Sequence, residues 1–265
     1  MLKKIVIVLV VVIAVVYGAL LGYLYLNQRA FFFFPDGEVT EIAETAFPGD
    51  VVSIPTEDGQ NLTGWYFAGA DGMPTILYYK GNSGSFTSEH ERYETFAEAG
   101  YGVLAFDYRG FPTSPGEITQ DNMLADAVAA FDWVDERAED ILIWGRSLGA
   151  SPAVWVASQR DAEAVLLETP FYSAVNVASE RYPYVPVGLL MFDPFPSNEW
   201  IGDVEEPVFV AHGTADTTIS VSNAERLYAD VPNPADLWIE EGAGHSDLWR
   251  RGIWDRAQAF FNGAG

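Results

Sequence analysis

The chemistry in this chain rests on a glycine-flanked serine and a choice among three histidines. The serine is Ser147, in Gly145-Arg146-Ser147-Leu148-Gly149. A strand that turns this sharply into a helix holds its serine at unfavourable backbone angles, and flanking glycines remove the Cβ clashes that would forbid the turn. The pattern alone also fits a structural glycine turn with an incidental serine. Its setting argues otherwise, because Ile141–Trp144 reads as a strand entering the turn and Ala150–Ala157 as an apolar helix leaving it. A serine hydroxyl is a poor nucleophile at neutral pH and needs an adjacent base. His90 opens a helix after an early strand and reads as a surface or capping residue. His212 follows the apolar run Val208–Ala211 and reads as a strand-end residue packed beside the site. His245 lies in Glu241-Gly242-Ala243-Gly244-His245-Ser246, a glycine-rich loop after the last strand that can carry its imidazole over the serine. It is the expected base.

That base needs a carboxylate to fix its tautomer and stabilise the imidazolium. Asp216, just past the penultimate strand, is the expected acid. Glu168, at the end of the strand after the serine turn, and Asp247, near the base in sequence, compete with it. A developing oxyanion needs two preorganised N–H donors. The amide of Leu148, next to the nucleophile and at a helix N-terminus, supplies one. The other comes from the loop Lys80-Gly81-Asn82-Ser83-Gly84, with the backbone N–H of Asn82 the first choice and Gly81 the second. Such chemistry requires no metal and no cofactor.

These residues must be carried to one edge of a scaffold. Asp50–Pro55 and Leu62–Ala68 flank the turn Glu57-Asp58-Gly59 and read as an antiparallel hairpin. Short apolar runs follow at Thr75–Tyr79, Gly102–Asp107, Ile141–Trp144, Ala164–Glu168, Pro207–Ala211 and Asp236–Glu240. Between them lie amphipathic helices, Glu89–Ala99 with Tyr93, Phe96 and Ala97 on one side and Asp121–Arg137 with Met123, Ala127, Ala130, Phe131 and Val134 at helical spacing. Alternating strands and helices imply an α/β class with a mostly parallel sheet covered on both faces. The stretch from Phe171 to Trp200 is too short for a large lid. Its tyrosines, prolines and Leu189 to Phe192 form a short apolar cap, suited to an acyl chain or to ordinary helix packing.

From Ile5 to Leu26 runs an uncharged stretch of 22 residues. At 1.5 Å per residue, about 20 apolar residues cross a hydrocarbon layer of about 30 Å. The stretch exceeds the apolar region of a cleavable signal peptide, and no convincing cleavage site follows it, so an uncleaved signal anchor is expected. Lys3 and Lys4 outweigh Arg29, which places the N-terminus (1–4) in the cytoplasm and the body (27–265) on the outer side: periplasmic or extracellular in a bacterium, lumenal in a eukaryote. Phe31 to Phe34 follow, and either the headgroup level or the domain core suits them. With 38 acidic against 14 basic residues, the body is repelled by phosphate backbones, which argues against nucleic-acid partners. The absence of cysteine rules out disulfides and thiolate chemistry.

Taken together, Phe34-Pro35, Gly81-Asn82, Phe106-Asp107-Tyr108-Arg109-Gly110-Phe111, Gly145 to Gly149, Tyr182-Pro183, Gly213 to Asp216 and Gly244-His245 resemble the α/β-hydrolases of the ABHD13/BEM46-like group, single-pass serine hydrolases. The resemblance covers nearly the whole chain. It implies an α/β-hydrolase fold with an eight-stranded type of sheet, the triad Ser147, Asp216 and His245, and oxyanion donors at Asn82 and Leu148. One departure stands out: the group usually has histidine before the Gly-Asn pair, and here the residue is Lys80. The expected activity is hydrolysis of an ester, thioester or amide acyl bond in a small-molecule or lipid-like substrate. A peptidase of the same fold, or a non-catalytic membrane-tethered binding module, are the competing readings.

Overall fold

The computed structural model describes residues 1–264. Eight strands form one sheet: β1 (Asp50–Pro55), β2 (Asn61–Phe67), β3 (Thr75–Tyr79), β4 (Gly102–Phe106), β5 (Ile141–Arg146), β6 (Ala164–Glu168), β7 (Val208–Gly213) and β8 (Pro234–Glu240). Their order is β1-β2-β4-β3-β5-β6-β7-β8. The β1–β2 hairpin is antiparallel, β2 also meets β4 antiparallel, and the remaining neighbours are parallel. Gly59, at φ +83, supplies the left-handed residue that the hairpin turn requires.

Side chains alternate across each strand, and both faces are covered. Leu77 and Tyr79 of β3 join Ile143 of β5 and Leu167 of β6 in a core closed by α3 (Gln120–Asp135) and α4 (Ala150–Ala157). Ile76, Tyr78, Leu142 and Trp144 face the other way, beneath α2 (His90–Glu98) and the C-terminal helix Ile253–Ala264. Tyr93, Phe96 and Ala97 are the buried face of α2, and all five apolar positions expected of α3 are buried. Each parallel strand delivers its C-terminal end to the same edge, where Ser147, His245 and Asp216 follow β5, β8 and β7.

The structure corrects several boundaries. Strand β5 runs two residues beyond Trp144, because Gly145 and Arg146 stay paired with Leu167 and Glu168. Strand β7 runs through His212 and Gly213, which pair with Ile239 and Glu240. The largest difference is at the N-terminus. Helix α1 spans Leu2–Phe32, six residues past the end of the uncharged stretch. No glycine or proline interrupts it there, and it stops where Pro35 demands extended backbone before it. The phenylalanine run divides between both expected fates. Phe33 is buried in the core, whereas Phe31 and Phe34 stay about half exposed.

Between β6 and β7 the cap carries three short helices, α5 (Ala174–Arg181), α6 (Val187–Leu190) and α7 (Ser197–Trp200).

Candidate active site

Ser147 sits at φ +52, a left-handed conformation that a serine rarely adopts. The glycines around it are fixed by packing. A Cβ on Gly145 would strike Ala150 and Ala153 of α4, and one on Gly149 would fall on the carbonyl oxygens of Tyr79 and Lys80. Ser147 Oγ lies 2.9 Å from His245 Nε2, and His245 Nδ1 lies 2.6 Å from Asp216 Oδ2. The structure thus brings together the three residues singled out above.

Asp216 has no exposed side-chain surface. Burial opposes its ionisation, but hydrogen bonds with His212 and His245 outweigh that cost and hold the carboxyl well below its ordinary value. The backbone N–H groups of Thr218 and Ile219 donate to its second oxygen at 2.8 and 2.9 Å. His212 is therefore a second imidazole on the same carboxylate, 3.2 Å from Oδ2 and 3.0 Å from the carbonyl of Ile219. It supports the acid and does not reach Ser147.

The competing acids have other partners. Glu168 accepts two hydrogen bonds from the Arg92 guanidinium, at 2.7 and 3.0 Å, and one from the Trp144 indole. Burial opposes its charge too, yet Arg92 and Arg146 keep its carboxyl below the usual range. Asp247 accepts from the N–H of Gly244 at 2.7 Å and so shapes the loop that carries His245. His90 opens α2 and meets Glu94 at 2.9 Å, far from this chemistry in its bonding.

On the oxyanion side, Gly81 packs against the nucleophile, since a Cβ there would lie 3.6 Å from Ser147 Cβ. The N–H of Asn82 makes no hydrogen bond among the described residues. Leu148 lies in the turn that leads into α4, where helical N–H groups lack intrahelical partners. The loop itself is tied to the end of α1, a link that no local pattern in the sequence announces. Asn82 Nδ2 donates to the carbonyl of Phe32 at 2.8 Å, the N–H of Phe34 donates to the carbonyl of Asn82 at 2.9 Å, and the N–H of Gly84 returns to Phe34.

Both nearby cations are occupied. Arg146 Nη2 donates to Ser246 Oγ at 3.1 Å, joining the serine turn to the His245 loop, and Nη1 reaches Glu89. Lys80 is buried over the Phe111 ring, 3.6 Å from its centroid, and burial pushes its ammonium down to about 8 even though Asp107 and Glu89 favour the charge. Above Ser147 and His245 opens a cleft of about 670 Å³. Phe171, Val187, Leu190 and Met191 of the cap wall one side, and Leu24, Phe31, Phe32 and Phe34 wall the other.

No protein-family model matches the chain. A protein of Mycobacterium tuberculosis is 34% identical over 245 residues, which span 90% of this chain and 87% of the relative. The mouse alpha/beta hydrolase domain-containing protein 17C is 36% identical over 153 residues, 55% of this chain and 46% of that protein. Among solved structures, an esterase of Pyrococcus furiosus superposes with a TM-score of 0.72 at 24% identity, over 88% of this chain and all of its own. A bacterial membrane phospholipase A superposes at 0.66 and 16% identity, over 99% of both chains. Sequence kinship, the strand order and the serine turn agree: the chain belongs to the α/β-hydrolase superfamily.

Proposed function

We propose that the protein is a membrane-anchored serine hydrolase that cleaves an acyl ester, thioester or amide with an apolar acyl group. The observation that carries this reading is the unbroken hydrogen-bonded line from Ser147 through His245 to Asp216 at the floor of an apolar cleft. In the first step His245 Nε2 takes the hydroxyl proton as Ser147 Oγ bonds to the acyl carbon. Asp216, ionised and accepting from Nδ1–H, stabilises the imidazolium. The N–H groups of Asn82 and Leu148 receive the oxyanion. Collapse of the tetrahedral intermediate expels the leaving group, which takes the proton from His245. Water, deprotonated by the same imidazole, then releases the acid and restores Ser147. Ser147, Asp216 and His245 are the catalytic residues in this scheme, and no metal or cofactor has a part in it.

The anchor is the uncharged stretch 5–26 within α1, with residues 1–4 cytoplasmic and the catalytic body 27–265, including the cap 170–200, on the outer side. This arrangement is that of the ABHD13/BEM46-like group, the narrower kinship we favour. The cleft's apolar walls favour a lipid-like acyl group over a peptide, because each methylene they bury contributes about 0.8 kcal/mol, or about fourfold in kcat/KM. A series of p-nitrophenyl esters from acetyl to dodecanoyl, beside aminoacyl amides, tests the reading. A rise in kcat/KM with chain length and little turnover of the amides is expected. A profile that favours the aminoacyl amides would establish a peptidase instead.

A further inference from the structure

The middle of the cap departs from the rest of the chain in charge and exposure. The protein carries 38 acidic residues, yet none falls between Arg181 and Phe192, and Arg181 is the sole charge there. Within this stretch Tyr184 and Leu189 are 86% and 87% exposed, and Tyr182 and Phe192 are open too. Contiguous apolar surface of this kind in a soluble protein marks an interaction face. Helix α1 identifies what covers it. The Tyr17 hydroxyl donates to the carbonyl of Tyr184, the Tyr25 ring meets Phe192 edge-on at 4.7 Å, and Gln28 bonds to Leu190 and Phe192. Arg29 pairs with Asp193 at 2.8 Å. The cap is thus fastened along the outer part of α1. Tyr17 stands nine residues before Leu26, about 13.5 Å back along the axis into the uncharged stretch. A bilayer that surrounds α1 at Tyr17 also surrounds the cap tip at Tyr184.

We propose that the face from Tyr182 to Phe192 is immersed in the adjoining lipid leaflet, and that the cleft between cap and α1 receives its substrate sideways from that leaflet. The substrate class is then a membrane-resident amphiphile whose acyl chain enters between Phe31 and Met191. This rests on the anchored-hydrolase reading. The chain has no cysteine, so single cysteines can be introduced and spin-labelled in the full-length protein in phosphatidylcholine vesicles. Val10→Cys reports the anchor, Leu189→Cys the cap, and Asp71→Cys an exposed turn. The label from Leu189→Cys is expected to favour dissolved oxygen over an aqueous relaxation agent, as that from Val10→Cys does. If it reads like the one from Asp71→Cys while Val10→Cys reads hydrocarbon, the cap proposal is overturned and the anchor stands. If Val10→Cys also reads water, the anchor reading itself fails.

Lys80 has no part in the reaction above, yet it is buried against it. Its ammonium donates to the carbonyl of Gly81 at 3.1 Å, with Asp107 Oδ1 at 3.7 Å. The Gly81 carbonyl and the Asn82 N–H belong to one planar peptide and point in opposite directions. Holding the oxygen on Lys80 therefore turns the N–H to the other side, and the carbonyl of the next peptide is held by Phe34. We infer that Lys80 is a positioning residue that fixes and polarises the Gly81–Asn82 peptide, and so aims the Asn82 N–H at the oxyanion. The groups facing the ammonium are Asp107, Glu89, Arg146 and the Phe111 ring. With its value near 8, the side chain is charged at neutral pH and loses its charge in mildly alkaline solution, where a neutral amine polarises the peptide less.

This inference also rests on Ser147 as nucleophile, and Ser147→Ala is assayed in parallel to separate the two. In Lys80→Met, kcat for a soluble short-chain ester is expected to fall about tenfold to a hundredfold, less than or equal to the loss of a whole oxyanion donor. KM should stay within about twofold, and a limb near pH 8 in the wild-type kcat profile should vanish. Lys80→Gln, which keeps an N–H donor, should retain more of kcat and decides the matter if Lys80→Met does not fold. A folded variant with wild-type kcat and an unchanged alkaline limb would overturn the role of Lys80. Activity that persists in Ser147→Ala would instead remove the reading beneath it.

Discussion

A carboxylate withdrawn from water must find partners or take up a proton. Asp216 and Glu168 both lack exposed side-chain surface, and each is kept ionised by its own set of donors. The folded value of each lies below its ordinary one. Their contribution to stability is therefore full above the ordinary carboxylate range, about pH 4, and is lost as pH falls toward the folded values. Melting temperatures measured from pH 7 downward should fall below that range, and Glu168→Gln should flatten part of the decline. Removing the cation is more severe. Arg92→Ala leaves the buried Glu168 with only the Trp144 indole and the more distant Arg146 as partners, which is expected to cost about 3–5 kcal/mol in chemical denaturation. Asp216→Asn is a different kind of change. His212 and the backbone can still hold the side chain, but His245 loses the acceptor that sets its tautomer. A folded protein with kcat lowered by about 10⁴-fold is expected.

The hairpin, the parallel strands and the amphipathic helices are legible because each is a local pattern: β-branched runs between turn residues, or apolar positions at helical spacing. The serine turn is legible for the same reason, as a glycine-flanked serine between a strand and a helix, although Gly149 is required by contact with the end of β3 at Tyr79 and Lys80. What stays hidden is decided by distant packing. Arg92 and Glu168 are 76 residues apart, and nothing near Arg92 announces its partner. Lys80 reads as an extra cation by the site, and only the fold reveals that it is buried on Phe111. Pro35 marks where α1 must stop, but only the fold reveals that Phe33 finds the core there. Phe33 plugs that core while Phe34 pairs with the loop at Ser83, so one element both anchors the helix and braces the Asn82 loop. Phe33→Ala is expected to cost about 3–5 kcal/mol. Because the neighbouring pairing is disturbed, kcat should fall as well, in an assay run well below the melting temperature.

At the scale of the whole molecule, a net charge of −24 on 265 residues is a source of self-repulsion. Screening shortens its range from about 30 Å at 0.01 M salt to about 3 Å at 1 M. Sodium chloride is therefore expected to raise the melting temperature of the detergent-solubilised protein by several degrees across that range. In the anchored arrangement proposed above, the repulsion also orients the body, since an acidic surface stands away from anionic headgroups while the acid-free stretch from Tyr182 to Phe192 lies beside α1. Helix α1, the cap and the sheet edge line one cleft, and the proposed function of that cleft depends on an activated serine. Treatment of the intact anchored protein with a fluorophosphonate probe, followed by mass spectrometry of the labelled peptide, tests this most directly. Stoichiometric labelling on Ser147, absent from a folded Ser147→Ala variant, is the result expected. A folded wild-type protein that stays unlabelled, or a label that persists in the variant, would contradict it.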